Sequence, residues 1–598
     1  MWQLLLVYLV PYLLVGYETI GEAVEGLLHG DAFNEHLLMT VATLGALAIG
    51  FLPNAEPEMA EAVFVMLFFQ VGELFEGIAE GRSRRSIEEL MSIRPDTATV
   101  VREGREQEVK AEEVAVGEEV VVRPGDRVPL DGVVVDGSSS LDKAALTGES
   151  VPCAVGVGDA VESGTINLSG VLRMRTSKSF GESTASRIIE MVEEAGEHKS
   201  SSETFIARFA RVYTPIVVFA AVALALLPPL LSGAFAESFP VWLHRALVFL
   251  VVSCPCALVI SVPLTFFGGI GAASRRGVLV KGANYLDALA KAETVVFDKT
   301  GTLTRGSFSV VAVHPEECDA ERLLHLAAHV EHVSTHPIAA ALREAFPEEA
   351  TDGCTITCVE EVAGHGIRAR VMDEEVHVGN AKMMESIGVE WHDCHQTGTI
   401  IHVAIDGRYA GHIVISDTVK PDSHEAIDEL KRMGVTDIAM LSGDRQRVAD
   451  EVARELGIGR CYAELLPADK LSILEEMLAK SGRRGSLLFV GDGINDAPAL
   501  SRADIGVAMG GMGSGAAIEA ADVVLMDDKT SKIAAAIDIA RRTRRIANQN
   551  VWGAIGVKVA VLLLASVGVA TMWMAVFADV GGTVRAVLNA MRMLAIRR

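Results

Sequence analysis

Cysteine is scarce, with eight in 598 residues. That is too sparse for a disulfide framework, so the thiols are expected reduced, in an intracellular or intramembrane setting. Basic residues are in deficit as well: 53 Lys and Arg stand against 79 Asp and Glu, a formal net charge of −26. A nucleic-acid partner is therefore excluded, because its phosphates require a basic surface. The apolar N-terminus begins at Trp2 without a basic leader or an evident cleavage site, so a removed signal peptide is not expected. The short segment 232–240 has no Lys or Arg at all.

Apolar material is abundant. Half of the chain is hydrophobic and 22% is charged, so the two must be segregated. Seven apolar stretches, at about 2–17, 36–52, 59–79, 211–231, 243–271, 551–570 and 572–594, approach the ~20 residues that cross a bilayer. Basic residues mark one side of them. Arg82, Arg84 and Arg85 follow the third stretch, Arg208 and Arg211 open the fourth, and Arg275 and Arg276 follow the fifth. Arg541, Arg542, Arg544 and Arg545 precede the sixth, and Arg597 and Arg598 end the chain. The positive-inside pattern places both large polar regions and the C-terminus in the cytosol of a multi-pass protein of the cell membrane. Arg245, near the outer end of the fifth stretch, is the one dissenter.

The chemistry centres on Val295-Val296-Phe297-Asp298-Lys299-Thr300-Gly301-Thr302-Leu303-Thr304. Three apolar residues read as a buried strand and the Gly-containing tail as the loop leaving it. Asp298 is then presented at a strand's C-terminal end, where open α/β sheets keep their ligand crevices. A carboxylate there can attack a phosphoryl group and carry it as an aspartyl phosphate. The seven residues DKTGTLT resemble the phosphorylation motif of P-type ATPases, and the resemblance extends over essentially the whole chain.

The resemblance implies a multidomain membrane protein. Its expected parts are an α-helical transmembrane bundle in three pieces (1–81, 206–274 and 546–598) and a β-rich actuator domain (82–205). An α/β haloacid-dehalogenase-like phosphorylation domain (275–307 and 413–545) and an inserted α+β nucleotide-binding domain (308–412) complete it. The strand-and-turn composition of 82–205 and the strand–helix alternation of Ile413–Asp417, Asp437–Leu441 and Ser486–Gly491 agree with this. Relatives of the heavy-metal class have eight helices and often an N-terminal Cys-x-x-Cys domain. This sequence resembles one without the first helix or that domain, whose first stretch kinks near Gly16-Tyr17 and continues along the membrane.

Site residues follow motif by motif. In Thr147-Gly148-Glu149-Ser150, Glu149 is expected to position the water that hydrolyses the phosphoenzyme. Lys299 and Thr300 flank the nucleophile. Ser442 and Asp444 follow a strand, with Ser442 where relatives usually have Thr. Lys470 is the expected cation on the phosphate, and Asn495 lies in the Gly491–Pro498 loop. Phosphoryl transfer needs little beyond such positioning and charge neutralisation. Asp492, Asp298 and the Thr300 carbonyl are the expected ligands of Mg²⁺, a hard ion suited to oxygen. Glu331, His336, Gly364 and Gly366 match the ATP-binding motifs, with His336 stacking on adenine.

The fifth stretch contains Cys254-Pro255-Cys256. On a regular helix each residue turns by about 100°, so the two sulfurs would face nearly opposite ways. Pro255 removes a backbone donor and disrupts the helix, and an unwound segment can turn both toward one cavity. Thiolates select soft or borderline metals. Lys558 and Asp579 are charges at membrane depth, which are costly and usually functional. Two thiolates and Asp579 carry three negative charges, one too many for a divalent ion, and Lys558 balances the site. The sequence thus resembles the zinc-, cadmium- and lead-exporting branch rather than the Cu(I)-exporting one. Glu73 is the candidate for ion release, with Glu76 the alternative. His329, His332 and His336, and separately His392, Cys394 and His395, read first as solvated or nucleotide-facing side chains and second as regulatory metal sites.

The expected activity is ATP-driven export of Zn²⁺, Cd²⁺ and Pb²⁺ through an aspartyl phosphate, by a protein that works as a monomer and takes ions from the cytosol or a cytosolic donor. The rivals are a Cu(I) exporter and a membrane-anchored phosphatase using Asp298.

Overall fold

A computed structural model of the chain describes residues 1–29, 35–53, 55–91, 95–143, 152–186, 201–252, 256–332, 334, 337–347, 353–362, 365–392, 394, 398–480, 485–492, 496–510 and 519–593. Helices occupy all seven apolar stretches: Trp2–Leu28, Glu35–Ile49, Met59–Met91, Ser201–Leu231, the pair Phe235–Val252 and Cys256–Ser274, Lys532–Ser566 and Met572–Ala590. Four segments, Trp2–Leu28, Tyr213–Leu231, Phe235–Ser274 and Lys532–Ser566, are long and apolar enough to cross a membrane by themselves. His36–Ile49 is shorter, and Met59–Met91 and Met572–Ala590 carry the charged residues Glu73 and Asp579.

These helices pack through Tyr12, Met39, Met66, Phe69, Val251 and Val576. Their other faces expose Leu6, Leu14, Phe219, Leu230 and Leu563. A helix apolar all round is expected of a membrane span. Trp2–Leu28 runs without a break through Gly16-Tyr17. Gly16 has a packing reason instead, since a Cβ there would lie 3.0 Å from the Met66 side chain. Arg245, the dissenter from the charge pattern, stacks over the Trp242 ring at 4.5 Å.

The chain divides into two units, residues 1–290 with 536–598, and residues 291–535. The expected boundaries at 81 and 545 fall inside the continuous helices Met59–Met91 and Lys532–Ser566. Charged residues such as Glu, Arg and Lys are good helix formers, so a span continues past the end of its apolar run. In the first unit, strands between Thr97 and Thr176 form a six-stranded and a three-stranded sheet. Val100, Val120, Leu130, Leu141, Leu172 and Met174 are its core.

In the second unit, six parallel strands lie in the order Val523–Leu525, Ile505–Ala508, Ser486–Gly491, Ala292–Asp298, Asp437–Leu441, Arg460–Tyr462. Ala292–Asp298 comes first in sequence yet lies in the middle, so the order reverses on either side of it. Such a switch point opens a crevice at the strands' carboxyl ends. A second sheet is antiparallel, in the order Thr304–Pro315, Arg408–Val419, Thr399–Ile405, Glu374–Gly379, Gly366–Val371, Ile356–Val362. Ile413–Asp417, expected in the doubly wound sheet, belongs to this one: it pairs with Thr304–Pro315 and Thr399–Ile405. A short apolar run announces a buried strand and not which sheet buries it.

Candidate active site and transport site

Register brings the active site together. Asp298 lies opposite Leu441, and Phe297 opposite Val490, so the loops after Leu441 and Gly491 open beside Asp298. Nζ of Lys470 is 2.5 Å from Asp298 Oδ1 and 3.0 Å from Asp496 Oδ1. Carboxylate oxygens of Asp298, Asp492 and Asp496 all lie within 4.8 Å of one another. Burial and the Asp496 charge push Asp298 up to about 7, against the pull of Lys470. Burial works against a charged Lys470, but Asp298 and Asp496 outweigh it and raise its pKa. Burial, then Asp496, likewise raises Asp492. Three carboxylates with one ammonium leave an excess of negative charge and a set of hard oxygen donors, which fits Mg²⁺.

The rest of the motif holds the loop in shape. Lys299, 2% exposed, does not face the solvent; its Nζ sits 2.7 Å from Asp444 Oδ2 and 3.2 Å from Asp417 Oδ2. Asp417 also accepts from Thr304 Oγ1 at 2.5 Å and from the Gly306 N–H at 2.9 Å. Lys420 Nζ donates to the Gly301 carbonyl at 2.7 Å, and Ser423 Oγ to the Leu303 carbonyl at 2.9 Å. Gly301 has φ +75°, and a Cβ there would fall 1.7 Å from Asp492 Oδ2. Ser442 is buried, and its Oγ accepts from the Asp444 N–H at 3.1 Å. Thr300 is exposed and lines a cavity of about 620 Å³ with Lys299, Asp417, Asp444, Asn380 and Trp391.

Of the residues expected to bind nucleotide, Glu331 ends the helix Ala320–Glu331 and is buried. Burial pushes it up to about 7, partly offset by Ser334 and Arg343. Gly366 is required by the sheet itself: at φ +148° a Cβ would lie 2.2 Å from the Val378 carbonyl oxygen. Neither lines the cavity beside Lys299. His336 and Gly364 lie outside the described residues, as do Glu149 and Asn495. His329, expected to be solvated or nucleotide-facing, is not solvated: it is 2% exposed, with its ring 4.6 Å from that of His325.

At membrane depth, Lys558 Nζ is 2.6 Å from Asp579 Oδ1, with both side chains buried. The same Nζ donates to the Val252 carbonyl at 3.2 Å, the last helical residue before 253–255. Cys254 lies outside the described residues, and of Cys256 only the backbone is described. Glu73, half-buried, is 3.4 Å from His36 Nδ1, whose Nε2 is 3.0 Å from Glu22. The side chain of Glu76 is not among those described.

Asp417, Lys420 and Asp496 escaped sequence reasoning. Their signal was the polar cluster Ser416-Asp417-Thr418-Val419-Lys420 closing an apolar run, and the second Asp of Gly491–Pro498. His36 carried none, because its partners come from two other helices.

A family model for the P-type ATPase actuator domain matches residues 92–193, and one for haloacid dehalogenase-like hydrolases matches 292–504. The cadmium, zinc and cobalt-transporting ATPase of Bacillus subtilis (strain 168) is 51% identical over 592 residues, covering 99% of this chain and 83% of that one. A zinc-transporting ATPase of Synechocystis is 50% identical, covering 97% and 79%. The crystal structure of a zinc-transporting PIB-type ATPase in its E2.Pi state aligns with TM-score 0.62 at 36% identity, covering 99% and 95%. The chain belongs to the heavy-metal-transporting P-type ATPases.

Proposed function

We propose that this chain exports Zn²⁺ and Cd²⁺ from the cytosol across the cell membrane, driven by ATP through an aspartyl phosphate on Asp298. The observation that carries the ion is the buried pair Lys558–Asp579 at 2.6 Å, with Lys558 also bound to the carbonyl of Val252. Val252 is separated from Cys254-Pro255-Cys256 by one residue in the chain, which supports a site shared by this pair and the two cysteines. Two thiolates, one carboxylate and one ammonium sum to −2, which a divalent ion neutralises. A buried site left with net charge is costly, and Cu(I) would leave −1. The names of the compared relatives support zinc and cadmium; Pb²⁺ rests on thiolate chemistry alone.

In the cytosolic part, a carboxylate oxygen of Asp298 attacks the γ-phosphorus and ADP leaves with the bridging oxygen. Lys470 stabilises the charge of the transferring group, and Lys299, tied to Asp417 and Asp444, fixes the loop. Ser442 offers its hydroxyl to the phosphate. Asp298, Asp492 and the Thr300 carbonyl, with Asp496, would hold Mg²⁺, which supplies charge neutralisation when bound. Glu331, His336, Gly364 and Gly366 hold the nucleotide, Asn495 supports the phosphate loop, and Glu149 directs the hydrolytic water. In the membrane, Cys254, Cys256 and Asp579 ligate the ion, Lys558 balances it, and Glu73 assists release. The domain divisions expected from the sequence carry these steps in one protomer, which accepts ions directly or from a cytosolic donor.

The test is ATP hydrolysis by the purified full chain with Zn²⁺, Cd²⁺, Pb²⁺, Co²⁺ and Cu(I) added separately. Zn²⁺ and Cd²⁺ should stimulate it, and Asp579→Ala should abolish that stimulation. Best stimulation by Cu(I), with Asp579→Ala indifferent, would overturn the assignment.

A further inference from the structure

The antiparallel sheet of the second unit sets three histidines in a row. His314 on Thr304–Pro315 is the register partner of His412 on Arg408–Val419, and His412 is in turn the partner of His402 on Thr399–Ile405. Cross-strand partners point to the same face. Their chain neighbours Val313, Ile401, Val403 and Ile413 pack on the other face, with the Ala320–Glu331 helix, as strand alternation requires. The His314 and His412 rings are 4.9 Å apart. The stretch after Trp391 passes close by, bringing the His392 ring to 5.3 Å from His412 and Cys394 to the row. One ligand atom each from His314, Cys394 and His412 lie within 4.8 Å of one another.

The hydrogen bonding of the row divides its members. Tyr409 OH is 2.7 Å from His402 Nδ1 and 3.3 Å from His412 Nδ1. Nε2 of His412 is buried and has no hydrogen-bond partner among the described residues, although the residue is only 3% exposed. A buried polar atom left unsatisfied costs about 1–3 kcal/mol. A metal ion held at that nitrogen would satisfy it. Tetrahedral zinc bonds of about 2.0–2.3 Å set ligands roughly 3.3–3.8 Å apart, so small side-chain rotations close the observed set.

We propose that His314, Cys394 and His412 form a second metal site, on the sheet of the inserted domain, that takes one borderline divalent ion of the Zn²⁺ or Cd²⁺ class. Two imidazoles and a thiolate select such ions over Mg²⁺ and Ca²⁺. His392 or water supplies the fourth ligand. The site shares no residue with the membrane pair and stands whether or not zinc is the transported ion. It adjoins the cavity beside Lys299, because Trp391, which lines that cavity, lies 5.0 Å from the His402 ring.

The experiment counts tightly bound Zn²⁺ per full-length chain by equilibrium dialysis with metal analysis. Cys394→Ser and His412→Asn should each bind one ion fewer than the wild type. Cys153→Ser, an exposed thiol elsewhere, should bind as many. With Co²⁺, Cys394→Ser should also lose part of the thiolate-to-metal charge-transfer absorbance. Cys394 is on a connecting segment, so this variant decides the matter if His412→Asn fails to fold; retained metal-stimulated ATPase reports that it has folded. Unchanged stoichiometry in Cys394→Ser, or an equal loss in Cys153→Ser, overturns the site.

Discussion

Lys470 Nζ bridges two carboxylates, 2.5 Å from Asp298 and 3.0 Å from Asp496, although the two acids come from different strand ends. The ammonium therefore holds Asp298 in place, consistent with the proposed role of Lys470 as the cation on the transferring phosphoryl group. Lys470→Ala should slow phosphoenzyme formation by about 10²–10³, the effect of removing one preorganised charge stabiliser. Asp298→Asn should abolish it. Labelling with γ-labelled ATP at short times checks both, and a Lys470→Ala rate near wild type would place that lysine outside the reaction.

Gly301 is fixed by two constraints, φ +75° and an Asp492 oxygen 1.7 Å from where a Cβ would be. The left-handed backbone alone costs roughly 1–2 kcal/mol for another residue. The clash then displaces Asp492 from the carboxylate cluster. Gly301→Ala should reduce phosphoenzyme more than about tenfold, by the same arithmetic, and raise the Mg²⁺ concentration for half-maximal labelling. Asp492→Asn should raise that concentration too, with a smaller effect on thermal stability.

Glu331 gives a pH dependence of known sign. Burial raises its pKa from 4.5 to about 7 in the folded protein. Its favourable contribution is thus full below pH 4.5 and is lost as pH rises through about 7, where a carboxylate must be kept buried. Hydrogen-exchange protection of the helix Ala320–Glu331 in nucleotide-free protein should fall across that window. Glu331→Gln should flatten the fall, with a difference of a few kcal/mol at pH 8, on the order set by the shift. A wild-type profile as flat as the variant's would mean that Glu331 stays charged in its pocket.

The active site was legible because its chemistry lies in local strings. Asp298 and Asp492 each sit in a short motif at the end of an apolar strand, where parallel register brings them together, and Lys470 sits in a short motif opening the helix Pro467–Lys480. Lys558 and Asp579 were legible for another reason: charge inside an apolar run is conspicuous. Asp417 was hidden because its strand looked like part of the parallel sheet, and only pairing with Thr304–Pro315 brings it to Lys299. The row His314, His412 and His402 was illegible in principle. Its members are about a hundred residues apart at the extremes, and a one-residue slip in either pairing would turn one to the opposite face.

The pair Lys558–Asp579 allows its structural and its ligand roles to be separated. Both side chains are buried and 2.6 Å apart. Removing one member of such a pair leaves an uncompensated charge, which costs about 3–5 kcal/mol, whereas replacing both by apolar residues of similar size is often neutral or stabilising. Asp579→Leu and Lys558→Met should therefore each lower the thermal stability of the detergent-solubilised chain, and the double variant should recover most of it. Ion-dependent activity should behave differently. Asp579 is a ligand in this scheme, so Zn²⁺-stimulated ATPase should be absent in Asp579→Leu and equally absent in the stable double variant. Phosphorylation by inorganic phosphate, which needs no transported ion, should persist in the double variant, because Asp298 and Lys470 are untouched. If stability and Zn²⁺ stimulation return together in the double variant, the pair is a structural clamp and the ion is held by other groups.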